Sequence, residues 1–264
     1  MLIEDLRQIH NNYDHVYLSP HIDDAALSCG GAIARHSAEG AHVLVVTICT
    51  ASPPAEGPFS SFAEKTHRDW GLAPGEVVSA RLNEDDLAME RLGADTYRAG
   101  MLDAIYRLPE VYTNNDALYG TPASDDPLLP TIRQLIAALH GRVPRATFYA
   151  PLGVGDHVDH QIIYTAACES AGPVIAFYED FPYAARPGVL DQRLAALGQR
   201  FVASIIDIDS TLTRKIGAID AYASQLAGLF DDPEARTLVI TQYAEELRPD
   251  VGTYGERLWL RDAQ

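Results

Sequence analysis

Residues 16–50, VYLSPHIDDAALSCGGAIARHSAEGAHVLVVTICT, read as strand, helix, strand. Val16-Tyr-Leu-Ser is a short β-prone run that stops at Pro20. Ala25 to Ser37 then carries apolar side chains at helical spacing, and Ala41 to Thr50 is an almost unbroken β-branched run. An apolar run without alternation suits a strand covered on both faces. Strands that alternate with helices predict an α/β fold with a mostly parallel sheet flanked by helices.

Outward from this unit the pattern continues. Residues 51–63 (ASPPAEGPFSSFA) are too long and irregular for a passive turn, so they form either an active-site loop or a surface insertion. Val77 to Leu92 predicts a strand-like start and then a helix that stops at Gly93. Residues 108–127 are a second excursion, Leu128 to His140 an amphipathic helix, and Thr147-Phe-Tyr-Ala a strand closing at Pro151. Further strands are expected at Val174 to Tyr178 and Phe201 to Ile206, and a late helix at Thr211 to Leu229. Neither a linker nor an internal repeat interrupts the chain, so residues 1–264 are expected to form a single domain.

Composition narrows the functions. Apolar residues make up 47% and charged residues 22%, ordinary for a chain that folds by burial. Twenty Lys and Arg stand against 37 Asp and Glu, a formal charge of −17 that repels nucleic acid and anionic membranes and favours a neutral or cationic small molecule. Cys29, Cys49 and Cys168 show no CxxC spacing, so they are read as small packing residues, neither disulfide framework nor thiolate zinc site. Met1-Leu-Ile-Glu-Asp-Leu-Arg is charged where a signal peptide is apolar, and no apolar stretch approaches a bilayer span. A soluble, cytoplasmic protein is expected.

Two segments carry the chemistry: Ser19-Pro-His-Ile-Asp-Asp-Ala and Gly155-Asp-His-Val-Asp-His. Each follows a predicted strand, and open parallel sheets bind ligands outside the carboxyl ends of their strands. Two imidazoles and a carboxylate form a zinc set that leaves a position for water, and His21, Asp24 and His160 are read as the ligands. Asp23, beside a ligand in sequence but aimed elsewhere, is read as the general base, and His157 as the group that meets the developing oxyanion; either of the two could protonate the leaving amine. Each residue also has an ordinary reading: an Asp at a strand-to-helix junction is commonly an N-cap, and a lone His a surface or core residue.

These residues resemble the PIG-L/LmbE-like family of zinc-dependent de-N-acetylases, which act mainly on N-acetylglucosaminyl compounds. Pro20-His21-Ile22-Asp23-Asp24-Ala25 matches the family's (A/P)-H-P-D-D-E at the His and both Asp positions, and His157-Val-Asp159-His160 fits its H-x-D-H throughout. The resemblance implies a Rossmann-like fold, the same three ligands for Zn2+ or another divalent metal, the same base and the same assisting histidine. It also implies that Arg81, in Arg81-Leu-Asn-Glu84, binds substrate, and that the chain forms homo-oligomers. Tyr178-Glu-Asp180, Pro182-Tyr183, Tyr222, Ser224-Gln225 and Tyr254-Gly-Glu256-Arg257 resemble patterns of bacterial members, and either line the cleft or buttress the sheet.

Departures from the family pattern bear on substrate. Ile22 replaces its Pro and Ala25 its Glu, a variant associated with members that modify antibiotics or other secondary metabolites. Gly155 stands where some sugar deacetylases carry an oxyanion-binding Tyr, and Asp156 is placed to hold a neighbouring His157 cationic. The expected function is removal of an N-acetyl group from an amino sugar or glycoconjugate, releasing acetate and a free amine. The rivals are hydrolysis of another acylated metabolite or thiol conjugate, and a catalytically silent metal- or sugar-binding module. Nucleotide binding is disfavoured because no GxGxxG follows the first strand; Cys29-Gly-Gly31 is expected to permit close helix packing instead.

Overall fold

The computed structural model describes residues 1–53, 56–70, 74–170, 172, 174–230 and 232–262. In chain order the elements are β1 (Leu2–Ile3), β2 (His15–Ser19), α1 (Asp24–Ala38), β3 (Val43–Thr47), α2 (Ser61–Trp70), α3 (Pro74–Leu92) and β4 (Asp95–Arg98). There follow α4 (Ala104–Arg107), α5 (Asn115–Leu118), α6 (Leu128–Arg142), β5 (Thr147–Pro151), α7 (Val158–Glu169), β6 (Val174–Tyr178) and α8 (Val189–Leu197). The chain ends with β7 (Phe201–Asp207), α9 (Leu212–Ile219), α10 (Ala223–Leu229), α11 (Pro233–Glu246) and β8 (Gly255–Arg261).

One sheet takes the order β1-β4-β3-β2-β5-β6-β8-β7. It is parallel from β1 to β6, and β8 runs antiparallel to both β6 and β7. Alternate strand residues explain the unbroken apolar runs. Val16, Leu18, Leu44, Val46 and Phe148 enter a core with Ile132, Ile136 and Leu139 of α6 and Ile163 of α7. Tyr17, Val43, Val45 and Tyr149 enter the opposite core, with Ala26, Cys29 and Ile33 of α1 and Ala88, Met89 and Leu92 of α3. Burial on both faces removes any polar alternation. The Gly30-Gly31 pair lets α1 approach α9: a Cβ at Gly31 would lie 2.7 Å from Ile208 Cγ2, and one at Gly30 3.1 Å from Lys215 Cγ.

The order matters for the site. β3 and β4 lie to one side of β2 and β5 and β6 to the other, so strand order reverses between β2 and β5. Adjacent crossovers leave that point on opposite sides and open a crevice at the carboxyl ends. Both motifs follow strands that end there, β2 at Ser19 and β5 at Pro151.

Several expectations need correcting. Val77-Val78, β-branched and read as a strand, belongs to α3, which is helical from Pro74. The late helix is two: α9 and α10 are separated by Asp220–Tyr222, a break that sends Tyr222 into the core, where its hydroxyl donates to Asp85 (2.8 Å). The short polar β4 and the antiparallel β8 carry too little apolar alternation to be read in advance. Of the 51–63 segment, residues 54–55 lie outside the described residues, and α2 begins at Ser61. The 108–127 excursion contributes to a core of its own: Tyr112 and Leu118 are buried with Phe59, Ala63, Ile105 and Val158.

Asp85 leads to a stability prediction. It is fully buried, Tyr222 holds one of its oxygens, and the other meets no donor among the described residues. Burial pushes its pKa up to about 7, although the Tyr222 hydrogen bond works against this. Between pH 4 and 7 the folded state then binds more protons than the unfolded one, so this carboxyl makes stability fall as pH rises. Asp85→Asn keeps the acceptor and removes the charge. Its stability advantage over wild type should grow by on the order of 2 kcal/mol from pH 5 to pH 8. A difference independent of pH in parallel denaturant titrations would contradict the assignment.

Candidate active site

The first motif is shaped by what terminates β2. Ser19 Oγ donates to the His21 carbonyl (2.7 Å) and accepts from the Ala25 N–H (3.0 Å), closing a turn and capping α1. Asp23 stands at the N-cap position of α1, yet its carboxylate makes no capping bond. Asp24 Oδ2 accepts from the His21 N–H (2.7 Å), which fixes the carboxylate under the imidazole. The ordinary N-cap reading of Asp23 therefore fails, because Ser19 does that work.

The second motif lies at the start of α7. His157 is its N-cap, and its Nδ1 accepts from the Asp159 N–H (3.2 Å). His160, one helical turn on, faces across the crevice to His21. Nδ1 of His21 lies 3.2 Å from Oδ2 of Asp24 and 3.3 Å from Nε2 of His160, and those last two atoms are 3.3 Å apart. Ligand atoms about 2.0 Å from a tetrahedral ion are about 3.3 Å from one another. Three donors from two distant segments thus form a triangle of the size one ion requires.

The remote nitrogens of both rings support the same fit. His21 Nε2 is 3.1 Å from Asp159 Oδ2 and 3.4 Å from Asp103 Oδ2, and His160 Nδ1 is 2.6 Å from Asp180 Oδ1. A carboxylate that takes the outer N–H fixes the tautomer and turns the inner lone pair toward the centre. These carboxylates are themselves held. Asp180 accepts from the N–H groups of Gly153 (2.8 Å) and Val154 (2.7 Å), while Asp159 accepts from Arg107 (2.6 Å) and Ala104 N–H (3.2 Å). Arg107 is in turn clamped by Asp126 at 2.8 and 2.9 Å. Burial opposes ionisation of Asp159, but His21 and Arg107 outweigh it and keep the carboxyl below its usual range. The donor set suits a divalent metal ion.

Asp103, Arg107, Asp126, Asp159 and Asp180 surround the two imidazoles, without an individual role in the sequence reading. Asp159 lies inside the second motif and Asp180 just beyond β6, so the strand-end rule reaches both. Arg107 and Asp126 carry no local signal, because only the folded 104–126 segment brings them beneath His21. Cys49 is another surprise. Its thiol is 3.7 Å from Asp159 Oδ2 and clusters with His21, though burial raises its pKa well above the ordinary thiol value and keeps it a thiol.

Arg81 reaches the motif from α3, with Nη2 3.6 Å from Asp23 Oδ1. Burial raises the Asp23 carboxyl above its usual pKa, Arg81 opposes this and Asp24 adds to it. A buried carboxylate held by one guanidinium suits proton transfer nearer neutrality. His157 behaves otherwise than its neighbour Asp156 suggests. The Asp156 carboxylate is exposed and faces Arg193 at 3.7 Å, and burial, reinforced by His21, lowers the His157 pKa well below its usual value. Its ring is neutral, with Nδ1 occupied as an acceptor and Nε2–H available to donate.

The sequence profile of the PIG-L family, described as GlcNAc-PI de-N-acetylase, matches residues 16–171, from β2 through α7 and both motifs. The chain belongs to the PIG-L family. A 2'-N-acetylparomamine deacetylase of Streptomyces fradiae is 32% identical over 215 residues, 79% of this chain and 72% of that protein. Among solved PIG-L-like structures, the A40926 pseudoaglycone deacetylase Dbv21 superimposes with a TM-score of 0.73 at 30% identity, covering 96% of this chain and 100% of that one. The zinc-inhibited form of the teicoplanin deacetylase Orf2 gives 0.78 at 27% identity, covering 94% and 98%. Among the described residues no helix is long and apolar enough to cross a membrane.

Proposed function

We propose that this PIG-L protein is a zinc-dependent deacetylase that removes the acetyl group from an N-acetylated amino sugar of a small glycoconjugate, releasing acetate and a free amine. The observation that carries the reading is the triangle of His21 Nδ1, Asp24 Oδ2 and His160 Nε2, with the uncapped Asp23 carboxylate beside it. A binding module needs no such buried carboxylate left out of both the triangle and the cap. The names of the relatives support an amino-sugar substrate, and the charge of −17 favours one that is neutral or cationic. Three cysteines without disulfide partners suit a reducing cytoplasm.

His21, Asp24 and His160 would hold the ion, which when bound supplies a Lewis acid and a water of near-neutral pKa. Asp23 takes a proton from the attacking water as its oxygen adds to the acetyl carbon. His157 Nε2–H donates to the carbonyl oxygen as negative charge collects there. The neutral His157 has no extra proton to give, so Asp23 delivers its own to the departing nitrogen when the C–N bond breaks. Arg81 keeps Asp23 oriented through the cycle, and from the same position we assign it a substrate contact.

Chelation followed by reloading tests this reading. Stripped protein should lose more than about 10³-fold in acetate release from 2'-N-acetylparomamine or an N-acetylglucosaminyl pseudoaglycone, and one equivalent of zinc should restore it. Equal turnover by stripped and loaded protein, or acetate from neither substrate, would refute it.

A further inference from the structure

Tyr183 stands three residues beyond Asp180, in a short 3-10 turn over Tyr183–Ala185. Its ring packs on Gly155, two residues before His157. A Cβ at Gly155 would lie 2.6 Å from Tyr183 Cγ, and the backbone there has φ +90°. A side chain at 155 is therefore excluded both by conformation and by the tyrosine that fills its place. From the other side, Tyr119 follows α5 and sets its ring edge-on to His157, with centroids 5.2 Å apart at 88°. The two tyrosine hydroxyls are 3.4 Å apart. Three separate segments thus bring two phenols and an imidazole to one place.

Two hydroxyls carry two protons, and a bond between them uses one. Among the described residues nothing accepts the other. Burial, with Tyr119, Asp24 and Asp23 adding to it, raises the Tyr183 pKa well above its usual value, so this phenol is a donor and never a base at neutral pH. Meanwhile the reaction collects charge on an oxygen for which His157 offers a single N–H. Donors fixed beforehand where charge develops stabilise it without reorganising at the moment of reaction.

We propose that the Tyr183 hydroxyl donates to the acetamide oxygen of bound substrate, together with His157, and that Tyr119 positions that hydroxyl by donating to it. The tyrosine stays protonated throughout, and no covalent bond to it forms or breaks. The assignment rests on the deacetylase reading above. A hydroxyl that both accepts and donates is polarised by the first bond and strengthened in the second.

The test uses zinc-loaded full-length protein, the panel substrate that wild type turns over, and the methylphosphonamidate of glucosamine as a tetrahedral anionic probe. Tyr183→Phe keeps the ring on Gly155 and should lower kcat about 10²-fold with KM nearly unchanged. Phosphonamidate affinity should fall by the same factor as kcat/KM, with zinc content and melting temperature as in wild type. Tyr119→Phe should lose up to about tenfold in kcat, and the double variant should be no worse than Tyr183→Phe. If Tyr183→Phe keeps kcat within twofold, or its loss lies wholly in KM, the tyrosine is no transition-state donor. Multiplicative losses in the double variant would overturn the positioning role of Tyr119. Failure of wild type to release acetate would instead strike the deacetylase reading itself.

Discussion

Asp23→Asn should lower kcat about 10³-fold while leaving bound metal at one equivalent and KM within a few-fold of wild type. The reasoning is geometric. Asp23 lies outside the His21, Asp24 and His160 triangle and makes no cap for α1, so metal retention does not depend on its charge. What its charge does is accept a proton, and the amide side chain cannot. Elemental analysis and steady-state kinetics on the same preparation separate the outcomes. Metal loss would make Asp23 a ligand, and near-normal turnover would leave the reaction without its base. A pH profile adds a directional check. The base must be ionised to act, so activity is lost as pH falls through the Asp23 pKa. Burial and Asp24 place that limb above an ordinary aspartate, and Arg81 pulls it down. Arg81→Gln should therefore move the acid limb of kcat/KM to higher pH, and a shift in the opposite sense would show that Arg81 does not act on this carboxyl.

His21, Asp23, Asp24, His157 and His160 are readable in the sequence because each follows a strand whose apolar run and terminating proline are local features, and topology converts that into convergence. Val16 and Phe148 are register partners across β2 and β5, the strands that flank the switch point. The segments at 155–160 and 19–25 had to meet once β5 paired with β2. Other features depend on tertiary pairing alone. Arg107 contacts Asp159 across 52 residues and Tyr222 reaches Asp85 across 137, separations for which no sequence period exists. β8 is not legible in the sequence because Glu256 and Arg257, near its start, pair with Lys215 and Glu179, so its opening reads as a polar loop. The electrostatics of His157 differ from the sequence expectation for a related reason. Adjacency to Asp156 suggests a cation, but a left-handed residue at 156 (φ 63°) sends that carboxylate outward to Arg193 and leaves the imidazole among buried neighbours.

His160→Ala should abolish both metal binding and turnover, and Asp180→Asn should separate holding the ion from holding the ligand. Removing His160 deletes one corner of the triangle and leaves two donors, His21 Nδ1 and Asp24 Oδ2, 3.2 Å apart. Two donors cannot enclose a tetrahedral ion. Zinc content should fall below a tenth of an equivalent after gel filtration, and kcat by at least about 10³-fold. Asp180 touches no part of that triangle. It receives the outer nitrogen of His160 at 2.6 Å and is held by the Gly153 and Val154 N–H groups, so its effect on the ion passes through the imidazole. An asparagine there keeps the shape and an acceptor oxygen but gives up the charge that raises the basicity of the ring. Zinc affinity should then weaken about 10- to 100-fold, with turnover recovered at saturating zinc. Competitive titration against a chromophoric chelator measures both variants on one scale. If His160→Ala binds zinc as tightly as wild type, the imidazole is not a ligand. If Asp180→Asn loses the metal as completely as His160→Ala, Asp180 is doing more than orienting a ring.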